Sequence, residues 1–320
     1  MDIFYPIQLL ADWLTYDVFS IAKKTLLGNA IDFFINDTIK IFLLLVVIIF
    51  VVSIIRSFLP PEKIKNILSH KGKYTGNILA SFLGIITPFC TCSAIPLFLG
   101  FVEAGVPLGV TFSFLVASPM INEIALVMLF GLFGWKVAFI YIVSGLVVAI
   151  VSGIIIGKLK VENLVYDFKS KNKAKLGFES LTWEKRITYA RGYTFDILKK
   201  VWLFIIIGVG IGAWIHGYIP ADFIAKYAGG NNWYAVPLAI LIGIPLYSNA
   251  AGIIPLVSVL TEKGVSMGTT LAFMMAVTGL SLPEFLILKK VMKTKLIIIF
   301  AGIVGVGIMC TGYLFNIILK

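Results

Sequence analysis

Eight stretches of the chain, near 38–55, 77–102, 107–132, 136–157, 196–216, 233–260, 266–288 and 295–318, are apolar enough to lie in lipid. Several reach the roughly 20 residues that a helix needs to span a bilayer. No soluble fold hides so much apolar surface in 320 residues, of which 59% are hydrophobic and only 13% charged. A soluble domain carries about a quarter charged residues. The fold class expected is an all-α polytopic integral membrane protein, with the lipid bilayer as its first partner. A transmembrane β-barrel is excluded, because its strands alternate over segments of about 10 residues. Segment 1–37 sets Phe4, Ile7, Leu9, Leu10, Trp13 and Leu14 against Asp2, Asp12, Asp17, Lys23 and Lys24. It reads as an amphipathic, interfacial helix, and it lacks the basic start and apolar core of a cleavable signal.

The net charge of +11 is what Lys/Arg-rich cytoplasmic loops give a membrane protein, so no nucleic acid is expected as a partner. Three cysteines, Cys90, Cys92 and Cys310, cannot build a disulfide framework. There is no phosphate-binding Walker pattern. No nucleophile–base–orienter set or metal cluster appears. An enzyme is therefore not expected, and no cofactor is. Cys310, deep in the last apolar stretch, reads as a packing residue. The glycines at 208, 210 and 212 and at 302, 305 and 307 read as close helix packing.

The chain repeats itself. Pro96 and Pro255 are 159 residues apart, and the same offset relates Gly84 to Gly243, Glu103 to Glu262, Gly105 to Gly264 and Gly109 to Gly268. Such register marks an internal duplication, a common build of secondary transporters. The organisation expected is an interfacial segment 1–37, a first transmembrane repeat 38–157, a linker 158–195 and a second repeat 196–318. Three basic segments, 57–76, 158–195 and 289–295, should lie in the cytoplasm. With every apolar stretch crossing, one of them falls on the wrong side. Treating 77–102 and 233–260 as hairpins that enter and return repairs the signs. Each repeat then has three crossings, an odd number, and the two repeats are inverted. The competing topology is eight crossings with parallel repeats and one misplaced basic loop.

The hairpin reading has a local cause. Thr87-Pro88-Phe89-Cys90-Thr91-Cys92-Ser93-Ala94-Ile95-Pro96 breaks a helix at membrane depth, and so does Pro245-Leu246-Tyr247-Ser248-Asn249-Ala250-Ala251-Gly252-Ile253-Ile254-Pro255. Irregular backbone survives there only where it lines a cavity or is buried in protein. Candidate substrate contacts are Thr87, Pro88, Cys90, Thr91, Cys92 and Ser93 from the first break and Tyr247, Ser248 and Asn249 from the second. Thiolates favour soft centres, and only the first break carries them; Asn249 and Ala251 stand at the matching places. Two carboxylates lie within apolar stretches, Glu123 beside Asn122, and Glu284. A charge at mid-helix costs about 2.5–3.5 kcal/mol on insertion scales. Glu123, Asn122 and Glu284 are therefore candidates for carrying a coupling proton. Glu103 and Glu262 read as surface residues at hairpin ends.

Thr87-Pro88-Phe89-Cys90-Thr91-Cys92-Ser93-Ala94-Ile95-Pro96 resembles the signature of the ArsP-type permeases, a family that includes the YraQ-like permeases. Ala117-Ser118-Pro119-Met120-Ile121-Asn122-Glu123 resembles that family too, and the likeness covers roughly 38–318. It implies a multi-pass permease of the cell membrane. Some relatives export trivalent organoarsenicals, and on that likeness Cys90 and Cys92 would be ligands of a metalloid substrate, with no resident metal. The expected function is efflux of a small thiophilic solute. A passive channel and a thiol-redox sensor using Cys90 and Cys92 are the other classes open, and the sequence leaves a homo-oligomer open.

Overall fold

The computed structural model describes residues 5–23, 25–58, 74–86, 91–166, 182–218, 232–246, 250–289 and 291–319. Its helices are α1 Tyr5–Asp12, α2 Leu26–Phe58, α3 Thr75–Ile86, α4 Thr91–Glu103, α5 Leu108–Met120, α6 Glu123–Lys158, α7 Trp183–Tyr218, α8 Ala235–Gly243, α9 Ala250–Glu262, α10 Met267–Gly279, α11 Leu282–Leu288 and α12 Thr294–Ile318. Among the described residues the only β pairing is one isolated bridge, Val165 with Met292. The chain is thus an all-α membrane protein. Four described helical stretches can cross a bilayer by length and composition: Leu26–Val51, Ala125–Lys158, Met267–Leu288 and Thr294–Ile318.

Helix bounds carry the sequence offset. Adding 159 to the limits of α4 and α5 gives the limits of α9 and α10. Both hairpin helices also end alike. Val106 N–H donates to Phe101 O and Gly105 N–H to Val102 O, each at 3.0 Å; Val265 and Gly264 repeat these bonds to Leu260 and Thr261. This is a Schellman cap, which needs a residue at positive φ. Gly105 (φ 75°) and Gly264 (φ 84°) supply it. A kink at Gly134, also at positive φ (φ 83°, ψ 170°), splits α6 into two helical pieces. At the matching place in the second repeat the chain breaks fully between α11 and α12.

Helices run past the apolar stretches. α2 begins at Leu26 and α7 at Trp183, each about a dozen residues before the apolar run expected from sequence. Asn29, Asp32, Asn36 and Asp37 end an apolar run but do not end a helix, because none removes a backbone donor. The N-terminal segment is helical at α1, then follows a π-helical turn, Trp13–Val18, packed on α2.

At the centre, every residue of α5 is buried, and so is every residue of α10 except Met267. α5 is covered by α3, α4 and α6, and α10 by α8, α9 and α12. Lipid tails are as apolar as these side chains, so close approach rather than the hydrophobic effect must hold the bundle. α5 crosses α6 at glycines: a Cβ on Gly109 would stand 2.5 Å from Gly153 O and 2.8 Å from Gly157 Cα. α10 crosses α12 at the matching residues, Gly268 against Gly312 and Asn316. Polar bonds differ between the two. Asn77 Nδ2 donates to Gly109 O (3.0 Å) and Ser113 Oγ (2.9 Å), whereas Gly268 N–H donates to Asn316 Oδ1 (2.8 Å). The glycine patches divide: Gly307 meets Val148, but nothing lies within 4 Å of a Cβ on Gly302. Cys310 is exposed, which corrects its reading as an interior packing residue; it lies on the outward face of α12.

Gly109→Val should lower stability by about 1–3 kcal/mol, because backbone, not a yielding side chain, blocks the new methyls. Gly302→Ala should leave stability unchanged. Thermal melts of detergent-solubilised protein, read by size-exclusion fluorescence, compare the two.

Candidate functional site

Each hairpin leaves and returns to the same end of the bundle. Asn77, near the start of α3, bonds residues 109 and 113 of α5. Gly84, near its end, packs on Phe114, Ala117 and Ser118. α3 and α5 therefore run side by side in one direction. Four residues then join α4 to α5, which returns the chain to the level of Gly109. The second repeat does the same. A Cβ on Gly312 would touch Val236 and Ala272, and Gly243 packs on Phe273, Ala276 and Val277. At 12 and 13 residues, α3 and α4 are about 18–20 Å long, short of the roughly 30 Å hydrocarbon core.

The tips of these hairpins carry most of the candidate substrate contacts. Thr87, Pro88 and Cys90 lie outside the described residues, as do Tyr247, Ser248 and Asn249. Thr91, Cys92 and Ser93 form the first turn of α4, and their side chains lie outside the described part. Glu123 opens α6 with its side chain likewise outside it, and Asn122 is half-buried in the break before it. Glu262 is exposed at the end of α9, and Glu103 closes α4.

A second pair of breaks was not anticipated. The stretches 107–132 and 266–288 read as whole crossings, but the helix stops between Met120 and Glu123 and again between Gly279 and Leu282. The signals were Pro119, inside α5, and Pro283, at the start of α11. Each proline removes a donor and crowds the preceding turn. These breaks meet the hairpins. Leu282 N–H donates to Ile244 O (2.9 Å), tying the second hairpin to the start of α11. α4 packs on α11, and α9 packs on α6; the two contacts correspond under the 159-residue offset.

Two equivalent pairs touch across the repeats. A Cβ on Gly279 would stand 3.1 Å from Met120 Cε, and one on Gly307 would stand 3.0 Å from Val148 Cγ1. Both pairs are 159 residues apart. Met120 and Ile121 pack against Gly145, so both contacts lie at nearly one level along α6. The break after α5 is braced by Tyr141, fully buried, whose hydroxyl donates to Met120 O at 2.9 Å. Glu284 is buried as well: it is 1% exposed, and among the described residues neither carboxyl oxygen has a hydrogen-bond partner.

Interrupted helices inside an apolar bundle define a class, the polytopic membrane permeases. The comparison with known proteins narrows it. A family model described as a predicted permease, ArsP_1, matches residues 26–317, and the chain belongs to that family. A UPF0718 protein of Methanocaldococcus jannaschii is 24% identical, over 80% of this chain and 86% of its own length. A Streptococcus mutans protein named as a two-component membrane permease complex subunit is 28% identical, over 78% and 79%. The UPF0718 protein YraQ of Escherichia coli is 23% identical, over 80% and 71%. No solved structure matches the chain.

Tyr141→Phe removes the donor that satisfies Met120 O inside the bundle. It should lower stability by about 1–3 kcal/mol, the cost of a buried unpaired carbonyl. A thermal melt beside Ser144→Ala, whose hydroxyl bonds only its own helix at Tyr141 O, checks that the loss belongs to the break.

Proposed function

We propose that the chain is a secondary-active carrier of two inverted repeats that exports a small thiophilic solute, such as a trivalent organoarsenical, from the cell. The observation that carries this reading is that equivalent helices run antiparallel. α12 starts beside the end of α6, since Lys293 N–H donates to Leu164 O (2.8 Å) and Tyr166 N–H to Val291 O (2.9 Å). Midway, the two helices touch at Val148 and Gly307. The hairpins therefore open toward opposite ends of the bundle. Equivalent contacts at one level along the helices support a pseudo-two-fold axis in the membrane plane, the arrangement of inverted-repeat carriers. The same bridge keeps 158–166 and 291–293 on one side, which supports a cytoplasmic position for both basic segments in a cell-membrane protein.

The solute would bind between the tips, with Cys90 and Cys92 as thiol ligands and Thr87, Pro88, Thr91, Ser93, Tyr247, Ser248 and Asn249 around them. The thiophilic substrate class rests on the Cys90-Thr91-Cys92 signature. Export would be driven by a proton taken up on a membrane carboxyl, with Glu123 beside Asn122 and Glu284 as the candidates. The name of the Streptococcus relative supports a second subunit as a partner.

Everted membrane vesicles should accumulate methylarsenite when energised. Cys90→Ser and Cys92→Ser should each abolish that uptake, and dissipating the proton gradient should stop uphill flux. Folded protein with no uptake above empty vesicles removes arsenic from the reading, and uptake that ignores the gradient favours a passive channel. For the inversion, single cysteines at Ala104 and Lys263 are compared in a cysteine-free background. Labelling of the first from the cytoplasm and the second from outside is expected; labelling of both from one face refutes inverted repeats.

A further inference from the structure

Ser281-Leu282-Pro283-Glu284 has the spacing of a helix capping box, in which the serine binds the third backbone N–H and the glutamate reaches back to the serine. In the fold that box stays open. Ser281 makes no side-chain cap bond. Among the described residues neither carboxyl oxygen of Glu284 finds a partner, although the residue is 1% exposed. The obvious structural use of this glutamate is therefore unfilled. Its repeat equivalent is Ala125, also buried, so the scaffold does not need a carboxyl here.

The setting is rich in oxygen. A helical side chain leans toward the start of its helix, which points Glu284 back at the break after α10. There a 13-residue helix ends inside the protein, its last residues Val277, Thr278 and Gly279 and the following Leu280 all buried. The final carbonyls of a helix lack intrahelical donors and carry its negative end. Ser281, 2% exposed, adds a hydroxyl. The helices packed on α11 are α4 and α7. Among the described charged side chains of α7, Glu184, Lys185, Arg191, Asp196 and Lys199 are exposed, and Arg186 is buried near the start of that helix, ten residues before the apolar stretch. On α4, Glu103 stands at the far end, and on α11's own side Lys289 follows its last turn and is exposed. The buried end of α10 and the Ser281 hydroxyl thus place oxygen atoms on the stretch of chain directly before a buried carboxyl that has no partner among the described residues.

We propose that Glu284, with Ser281 and the carbonyl end of α10, holds the coupling cation of the carrier, a proton or Na+. This rests on the carrier reading and selects one carboxyl from its candidates. Hard cations take oxygen ligands of this kind, and carbonyls at helix breaks hold coupling ions in inverted-repeat carriers. The site sits where the second hairpin is tied to α11 through Ile244 O, so filling it bears directly on a solute path at the tips.

The test needs no solute. Full-length protein in detergent is melted while NaCl replaces choline chloride at constant ionic strength, and separately as pH is lowered. A ligand that binds only the folded state raises the melting temperature. Wild type should gain several degrees with Na+ or with acid, which names the ion, and Glu284→Gln should lose most of that response. No response in wild type, or an equal response in Glu284→Gln, overturns the proposal. If Glu284→Gln does not fold, Glu284→Asp keeps the charge one methylene shorter and should move the half-maximal cation concentration severalfold; an unchanged midpoint overturns the proposal. Loss of vesicle uptake with the cation response intact would count against the carrier reading instead.

Discussion

A polypeptide that is interrupted inside a bilayer must satisfy its freed backbone groups from protein, because lipid offers none. The rest of this architecture follows from that requirement. Each repeat interrupts its chain twice, at a hairpin tip and between α5 and α6 or between α10 and α11. The interruptions are placed against one another. Leu282 N–H finds Ile244 O, and the hydroxyl of Tyr141 finds Met120 O. α5 and α10 must then be buried on all sides, since they end where a lipid-facing helix could not. α2, on the periphery, is free to carry exposed Leu43, Val46, Val47 and Val51 instead.

Duplication supplies the frame, and departures from it supply the chemistry. The contacts that repeat are backbone contacts: two Schellman caps, two glycine crossings and two helix breaks. Side chains at equivalent places differ. Asn77 and Ser113 bond beneath Gly109, where the second repeat has Val236 and Ala272 packed on Gly312. Cys90 and Cys92 correspond to Asn249 and Ala251, and Glu284 to Ala125. Cys92 lies in the first turn of α4, and α4 packs on α11, the helix that carries Glu284.

Much of this was legible in the chain because it rests on backbone. Pro88 and Pro245 fall between helices, whereas Pro96 and Pro255, read from sequence as part of the breaks, lie inside α4 and α9, where the helix has already resumed. Gly105 and Gly264 mark turns that L side chains resist, and an offset of 159 residues relates them. The charge bias of 57–76, 158–195 and 289–295 then required hairpins. What stayed hidden depends on three-dimensional neighbours. The breaks at 121–122 and 280–281 sit inside apolar runs, and hydropathy does not register a helix end that other helices satisfy. The early start of α2 is hidden for another reason: Asp32 and Asn36 read as part of an interfacial segment 1–37, whereas they continue the helix of the first apolar stretch, with α1 and the π-helical turn packed beside it. Gln8 donates to both Asp12 and Asp32 there.

The level of the self-equivalent contacts bears on movement. Equivalent residues that touch, Met120 with Gly279 and Val148 with Gly307, lie on any two-fold axis relating the halves. A rotation of one repeat against the other displaces atoms least near that axis and most at the hairpin openings. The contacts on the axis are a glycine against a flexible Met side chain and a glycine against Val148, surfaces that tolerate small rotation. The glycine crossings within each repeat are backbone on backbone and do not. Stiffness is thus concentrated inside repeats and compliance between them. For the carrier we propose, that division would let the halves rock about a fixed midplane and expose a central site to one side and then the other.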